Sequence, residues 1–265
     1  MGEYSSAIDD AYVADVPKPY TGRRRIGAGI IGHPCQAYMA FSLRNFPELP
    51  HRPNLKRIFR DGHTIEKGVV ADLRKAGYTV HDVDPMTGKQ YQWTRNNGLL
   101  VYKADGIVEK LQVCRLLEIK SMNDASWTQF KNKGIKNANR KYYHQLNTGM
   151  GMSGYRSAVI VAYNKDTSHY WDEVIEFDEI AYYERIYIAE QALTNRAEKI
   201  GKNSADWRCK DCSLAGVCWQ NDPVPQNMAS CANALPVGEG QWQCPHGCVD
   251  VCLQWQRYVP KDRST

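Results

Sequence analysis

The stretch ADGIVEKLQVCRLLEIKS, residues 104–121, constrains the fold of this chain more than any other. It reads as two β-strands joined by a tight turn, yet it sets Asp105, Glu118 and Lys120 within an apolar pattern, where an unpaired charge is costly. Period-two alternation puts Glu118 and Lys120 on one sheet face and Leu117 and Ile119 on the other. If residues 104–108 and 116–121 are neighbouring strands, Asp105 lies beside Glu118, and two carboxylates meet one ammonium. Oxygen ligands of this kind suit a hard divalent cation, Mg²⁺ or Mn²⁺. The lysine can orient a water or offset developing negative charge. The bland alternative is a strand carrying charges on a solvated face.

The rest of the pattern frames that hairpin. A short helix is predicted across PCQAYMAFSLRNF, between Pro34 and Pro47, and a longer one over residues 54–76, with Gly77 as its stop. The period then changes: residues 78–84, 99–111 and 113–122 read as three strands. A polar, basic segment, QFKNKGIKNANRKYYHQ, leads into a helix ending near residues 149–154. Two further strands, RSAVIVAYN and SHYWDEVIEF, precede a long amphipathic helix over residues 178–201. That order predicts an α/β fold with a central mixed β-sheet flanked by helices.

The totals narrow the class. At 265 residues the chain suits one domain with an appendage, or two small ones. A net charge of +5 permits a polyanionic partner without implying one. The N-terminal residues are acidic and polar, unlike a secretory or transit peptide, and no apolar run approaches the ~18 residues of a membrane span, so a cytoplasmic protein is expected. Nine cysteines without an export signal point to metal rather than disulfides. Cys35 and Cys114 stand alone, Cys114 being read as a small buried hydrophobe, while Cys209, Cys212, Cys218, Cys231, Cys244, Cys248 and Cys252 crowd the end.

Asp105 followed by Glu118-Ile119-Lys120, in the inferred strand order, resembles the PD-(D/E)XK (restriction-endonuclease-like) nuclease superfamily. Three features bring the resemblance closer to its RecB-like and CRISPR-adaptation-type phage exonuclease branch. FRDGHTIEKG sets Gly62 four residues before Glu66, like a G-x-x-x-[H/E] pattern that supplies a helical metal ligand. Gln145 is similar to the glutamine of a Q-x-x-x-Y motif, although Gly149 stands where the tyrosine is expected and Tyr142 and Tyr143 precede the glutamine. Cys209-x2-Cys212-x5-Cys218 with a distant Cys35 resembles the iron–sulfur staple of CRISPR-adaptation nucleases and AddB-type helicase-nucleases. The start IGAGIIGHPCQAYMAFSLRNF also resembles phage exonucleases of this branch, and the likeness spans about residues 26–220.

The resemblance implies a metal-dependent DNA exonuclease acting on DNA ends in recombination, repair or phage DNA processing. Single-stranded ends and a 5′ to 3′ polarity are its expected mode. Glu66, Asp105, Glu118 and the Ile119 carbonyl would hold Mg²⁺ or Mn²⁺, Lys120 would position the water, and Gln145 would hold the site or the DNA. Cys35, Cys209, Cys212 and Cys218 would bind a [4Fe–4S] cluster, though tetrahedral zinc accepts the same ligands. Cys231, Cys244, Cys248 and Cys252, with His246 as a substitute, form a candidate second structural zinc site. The expected division is an arm at 1–28, a stapled nuclease domain at 29–220 and a cysteine-rich, metal-stapled tail at 221–265. Lys131, Lys133, Lys136, Arg140 and Lys141 with Tyr142 and Tyr143 are candidate DNA contacts, joined by Arg23 to Arg25, Arg57 and Arg60. Recombination or replication proteins are the expected partners, a homo-oligomer is compatible, and a phage-encoded chain would work in the host cytoplasm. An endonuclease of the same fold and a catalytically silent iron–sulfur adaptor are the alternatives.

Overall fold

The computed structural model describes residues 2–15, 25–247 and 252–263; Arg23, Arg24 and Cys248 lie outside them. Helix α1 (Glu3–Ala14) occupies the first part of the expected arm and lies on α4 (Pro53–Lys75). Arg57 pairs with Asp9 at 2.7 Å and Lys56 Nζ donates to the Tyr12 carbonyl at 2.7 Å. Pro53 opens α4 at its first turn, where the missing N–H costs nothing, and Gly77 follows it with φ +85°. Between them, β1 (Ile26–Gly27), α2 (Ala28–Ile31) and α3 (Gln36–Leu43) begin the core.

A central five-stranded sheet runs in the order β2 (Thr79–His81), β5 (Gly106–Lys110), β6 (Val113–Met122), β7 (Ser157–Asn164) and β8 (Tyr170–Glu176). β6 is antiparallel to β5 and parallel to β7, so the sheet is mixed as expected. A parallel neighbour needs a crossover, supplied by α5 (Asp124–Lys133), α6 (Ile135–Ala138) and α7 (Arg140–Ser153). The basic segment before α7 is thus helical rather than loop. Asn123 and Asn139 cap α5 and α7 by accepting the N–H groups of Ser126 and Tyr142.

The strand predicted over residues 99–111 is two strands in two sheets. β4 (Leu100–Lys103) pairs with β1 and with β3 (Gln92–Arg95) in a separate three-stranded sheet, whereas β5 joins the central one. The partner changes within one step: the Ala104 N–H donates to the Tyr91 carbonyl at 3.1 Å and the Asp105 N–H to the Leu117 carbonyl at 3.2 Å. Asp105 therefore sits at the split between two sheets.

Alternation along β6 divides the core as predicted. Leu116 packs with Tyr102, Leu146 and Ile160 beneath the crossover helices, while Leu117 and Ile119 pack with Val69 and Val70 of α4. A third cluster joins α3 to α8 (Glu179–Leu193) and to Leu214, Val217 and Tyr258. The last helix ends at residue 193 rather than 201. Asn195 adopts a left-handed φ of +57°, and its side-chain N–H groups serve the Ala232 and Ala234 carbonyls at 2.7 and 3.1 Å.

Past α8 regular structure is sparse: a π-helical turn at Gly216–Gln220, a 3-10 turn at Met228–Ser230 and a hairpin of β9 (Leu235–Gly238) and β10 (Gln241–Gln243). Arg44, at the end of α3 and 1% exposed, holds this region together. It donates to the carbonyls of Ala229, Cys231 and Ala234 and to the Asn195 side chain, with its guanidinium over the Trp242 and Tyr258 rings at 4.7 and 4.0 Å. Among the described residues no helix is long and apolar enough to cross a membrane.

Candidate active site

The pairing of β5 with β6 ends at Gly106↔Leu117, which leaves the next outward-facing backbone unit of β6, at Ile119, without a strand partner on that side. Asp105 takes its place: Oδ2 accepts the Ile119 N–H at 2.7 Å, and Gln90 Nε2 donates to Oδ1 at 3.4 Å. A strand residue turns its N–H and C=O to the same neighbour, so the Ile119 carbonyl faces the same opening.

Glu118 and Lys120 share the face beneath α7. Glu118 is 2% exposed, and its Oε1 accepts from both Lys120 Nζ and Gln145 Nε2, the latter at 2.6 Å. Its Oε2 is buried without a partner. Burial drives the Glu118 carboxyl up to about 7; Lys120 opposes that rise and the Asp105 charge adds to it. Asp105 is raised too, by burial, with Lys120 and the Ile119 N–H partly offsetting it. Burial works against the Lys120 ammonium, but the Glu118 and Asp105 carboxylates outweigh it and hold the group above the ordinary lysine range. Its Nζ lies 5.0 Å from the centre of the Tyr142 ring.

Glu66 reaches the same opening from α4. Burial raises its carboxyl and Asp105 raises it further, while His63, 3.8 Å away, and Lys120 act in the opposite sense. The structure thus places Glu66, Asp105, Glu118, Lys120 and Gln145 in one electrostatic neighbourhood, three carboxyl groups against one ammonium. Close packing of α2 on α7 fixes the helical side: a Cβ on Gly32 would stand 2.4 Å from the Lys141 carbonyl oxygen, and one on Gly29 would reach 3.7 Å from Gln145 Oε1. Arg185 ties down the end of α2 through the Ile31 and His33 carbonyls, at 2.7 and 2.6 Å.

This donor set is oxygen-rich, net negative and has one buried oxygen unsatisfied, so it fits a hard divalent cation. As the side chains stand, no three His, Cys, Asp or Glu groups among the described residues close to metal-holding geometry. Glu118 is turned to Lys120 and Gln145 instead.

The cysteines separate in space. Cys35, Cys209, Cys212 and Cys218 share one region: burial raises the thiols of Cys35 and Cys212 and lifts that of Cys218 to about 12, and charge on neighbouring members of the set raises each further. Cys231 and Cys244 are buried and Cys252 is half-buried, with Cys248 outside the described residues; in neither set does a metal-holding group form among the described residues. Cys114 is exposed near the hairpin end of β6, contrary to the buried position expected for it.

Several candidate DNA contacts are already occupied. Lys131 lies over the Trp127 and Trp171 rings, Lys136 pairs with Asp178 at 3.4 Å, Arg60 with Asp61 at 2.7 Å and Arg25 with Glu239 at 2.8 Å. Lys141 differs: burial and then the Lys120 charge lower its ammonium, which places it beside the cleft. Sequence reasoning missed Gln90, which follows the turn at residues 85–88 and belongs to no motif.

No protein-family model matches the chain. No curated protein matches it either. Among solved structures the chain is similar to LHK-Exo in complex with dAMP, at 21% identity and TM-score 0.47 over 64% of this chain and 86% of that one. It is also similar to the alkaline exonuclease LHK-Exo from Laribacter hongkongensis, at 19% identity and TM-score 0.46, covering 71% and 91% of the two chains. A phage-related exonuclease from Haemophilus somnus 129PT gives 13% identity and TM-score 0.46 over 64% and 93%.

Proposed function

We propose that this chain is a metal-dependent DNA exonuclease that hydrolyses phosphodiester bonds at DNA ends. The observation that carries the reading is the Asp105–Glu118–Lys120 group at the split between two sheets, Glu118 buried and its two neighbours half-buried, with Glu66 facing it and Glu118 Oε2 unsatisfied. Such a group is costly to bury unless a ligand completes it.

Glu66, Asp105 and Glu118, with the Ile119 carbonyl, would hold Mg²⁺ or Mn²⁺, which supplies a water of lowered pKa and counter-charge for the phosphate. Lys120 keeps its proton under the two carboxylates, so it acts as a hydrogen-bond donor that orients the attacking water and neutralises charge on the phosphoryl oxygens. Gln145 fixes Glu118 by holding Oε1. Lys141 adds positive charge on the helical side of the cleft, and the Tyr142 ring offers a surface for a base. Single-stranded ends and a 5′ to 3′ direction belong to the same proposal, as do recombination or replication proteins as partners.

The cysteine-rich end completes the reading. Cys35, Cys209, Cys212 and Cys218 would hold a [4Fe–4S] cluster, with zinc as the alternative for the same ligands. Burial holds these thiols protonated without a metal, so binding would have to release their protons. Cys231, Cys244, Cys248 and Cys252 would take a second, structural zinc.

Purified protein incubated with end-labelled single- and double-stranded DNA, with Mn²⁺ and separately with EDTA, tests the activity. Mononucleotides or short products released from an end only with Mn²⁺ are expected. DNA that binds but stays intact under every condition would leave a silent adaptor, and internal cuts in closed circles would make the enzyme an endonuclease.

A further inference from the structure

Two buried polar atoms near the cleft have no partner in the described structure: Glu118 Oε2 and the hydroxyl of Tyr102. Tyr102, on β4, is 0% exposed, and its ring stacks on Trp93 with centroids 5.9 Å apart. Burial, and then the charges of Glu118 and Asp105, keep the phenol in its neutral form although it belongs to the other sheet.

α7 explains its aim. A Cβ built on Gly149 would stand 2.4 Å from the ring carbon that carries the Tyr102 hydroxyl and 2.6 Å from the two carbons beside it. The hydroxyl end of Tyr102 therefore abuts the α7 backbone at Gly149, and any larger residue there would expel the ring. Gly149 is four residues after Gln145, so the two lie one above the other on the same helix face. Gln145 holds Glu118 Oε1 from that face. One turn along it, against Gly149, the phenol is a neutral donor, and Glu118 keeps a second oxygen that lacks one.

We propose that Tyr102 is a positioning residue for the site: its hydroxyl donates through one water to Glu118 Oε2, and with Gln145 locks the carboxylate in its working orientation. This rests on the proposed nuclease reading of the cleft. An orphaned donor and an orphaned acceptor each cost free energy when buried, and one bridging water relieves both. Partners that orient a ligating carboxylate act through it rather than on the substrate.

Tyr102→Phe keeps the ring against Gly149 and Trp93 and removes only the hydroxyl. In the intact protein, Mn²⁺ binding followed by electron paramagnetic resonance is expected to weaken about tenfold, and kcat on end-labelled DNA to fall about tenfold with KM unchanged. A purely packing role would leave all three at wild-type values, and that result would overturn the proposal. Wild-type protein that binds Mn²⁺ but cuts no DNA would sink the nuclease reading alone, since the Mn²⁺ comparison still reads the hydroxyl. A crystal structure of the wild-type protein is the second measurement. It is expected to show one ordered water within about 3 Å of both the Tyr102 oxygen and Glu118 Oε2. Apolar atoms between the two would refute the assignment whatever the assays gave.

Discussion

Glu118 and Arg44 are both almost wholly buried charges, 2% and 1% exposed, yet their surroundings differ. Arg44 spends both terminal nitrogens on three backbone carbonyls and the Asn195 side chain, with aromatic rings on its faces; only its Nε lacks a partner. Glu118 has one oxygen held twice and the other held by nothing. Burial brings Arg44 down to about 10, still charged at neutral pH, and drives Glu118 up to about 7, where it is half-protonated. A buried charge whose bonds are nearly all made fastens structure. One left incomplete beside further carboxyl groups is poised for a ligand.

The sharpest way to break that contrast is to remove charge from each region. Lys120→Ala and Asp105→Ala are expected to reduce cleavage at least about a hundredfold in the end-labelled assay while the melting curve stays cooperative. Full activity in either variant would put the chemistry elsewhere. Arg44→Met should do the reverse: it strands several carbonyls at once and lowers stability by about 3 kcal/mol, read from the urea midpoint, with activity per folded molecule preserved.

Metal content sharpens the comparison next. Anaerobically purified protein is expected to show a broad absorption band near ~400 nm that Cys209→Ser removes, with the Mg²⁺/Mn²⁺ cleft intact. Elemental analysis reporting about four irons per chain and no zinc would keep the cluster and discard the tail zinc.

The smallest expected effect is the pH dependence of the metal-free protein. Glu118 moves from an ordinary 4.5 to about 7 on folding, so between those values the folded chain keeps a proton that the unfolded chain has lost. Raising pH through that window therefore removes stability. The urea midpoint should fall between pH 5.5 and 7.5 in the wild type and fall less in Glu118→Gln; equal slopes would mean that other groups carry the titration.

Much of the cleft was legible because its pattern is local. Period-two alternation alone put Glu118 and Lys120 opposite Leu117 and Ile119, and helical spacing over residues 54–76 with Gly77 as its stop bounded the element that carries Glu66. The cysteine spacing singled out Cys209, Cys212 and Cys218, which with Cys35 act on one another electrostatically, although no metal-holding group forms among the described residues. The caps at Asn123 and Asn139 mark where α5 and α7 begin inside a segment whose polar, basic composition carries no helical period.

What remained hidden depends on partners far along the chain. Nothing near Ala104 announces that its N–H will bind Tyr91 while its neighbour's binds Leu117, yet that switch divides one apolar run between two sheets and exposes Asp105 to the Ile119 N–H. Tyr102 becomes part of the site only because Gly149 leaves space for its ring, and Arg44 becomes a hub only because Ala229, Cys231 and Ala234 bring their carbonyls to it. The amino-acid sequence by itself determined which residues share a strand face or a helix face, since those periods follow from backbone geometry. The tertiary structure alone decided which buried polar atoms are satisfied, because a hydrogen bond in the core is made or missed by the meeting of distant segments.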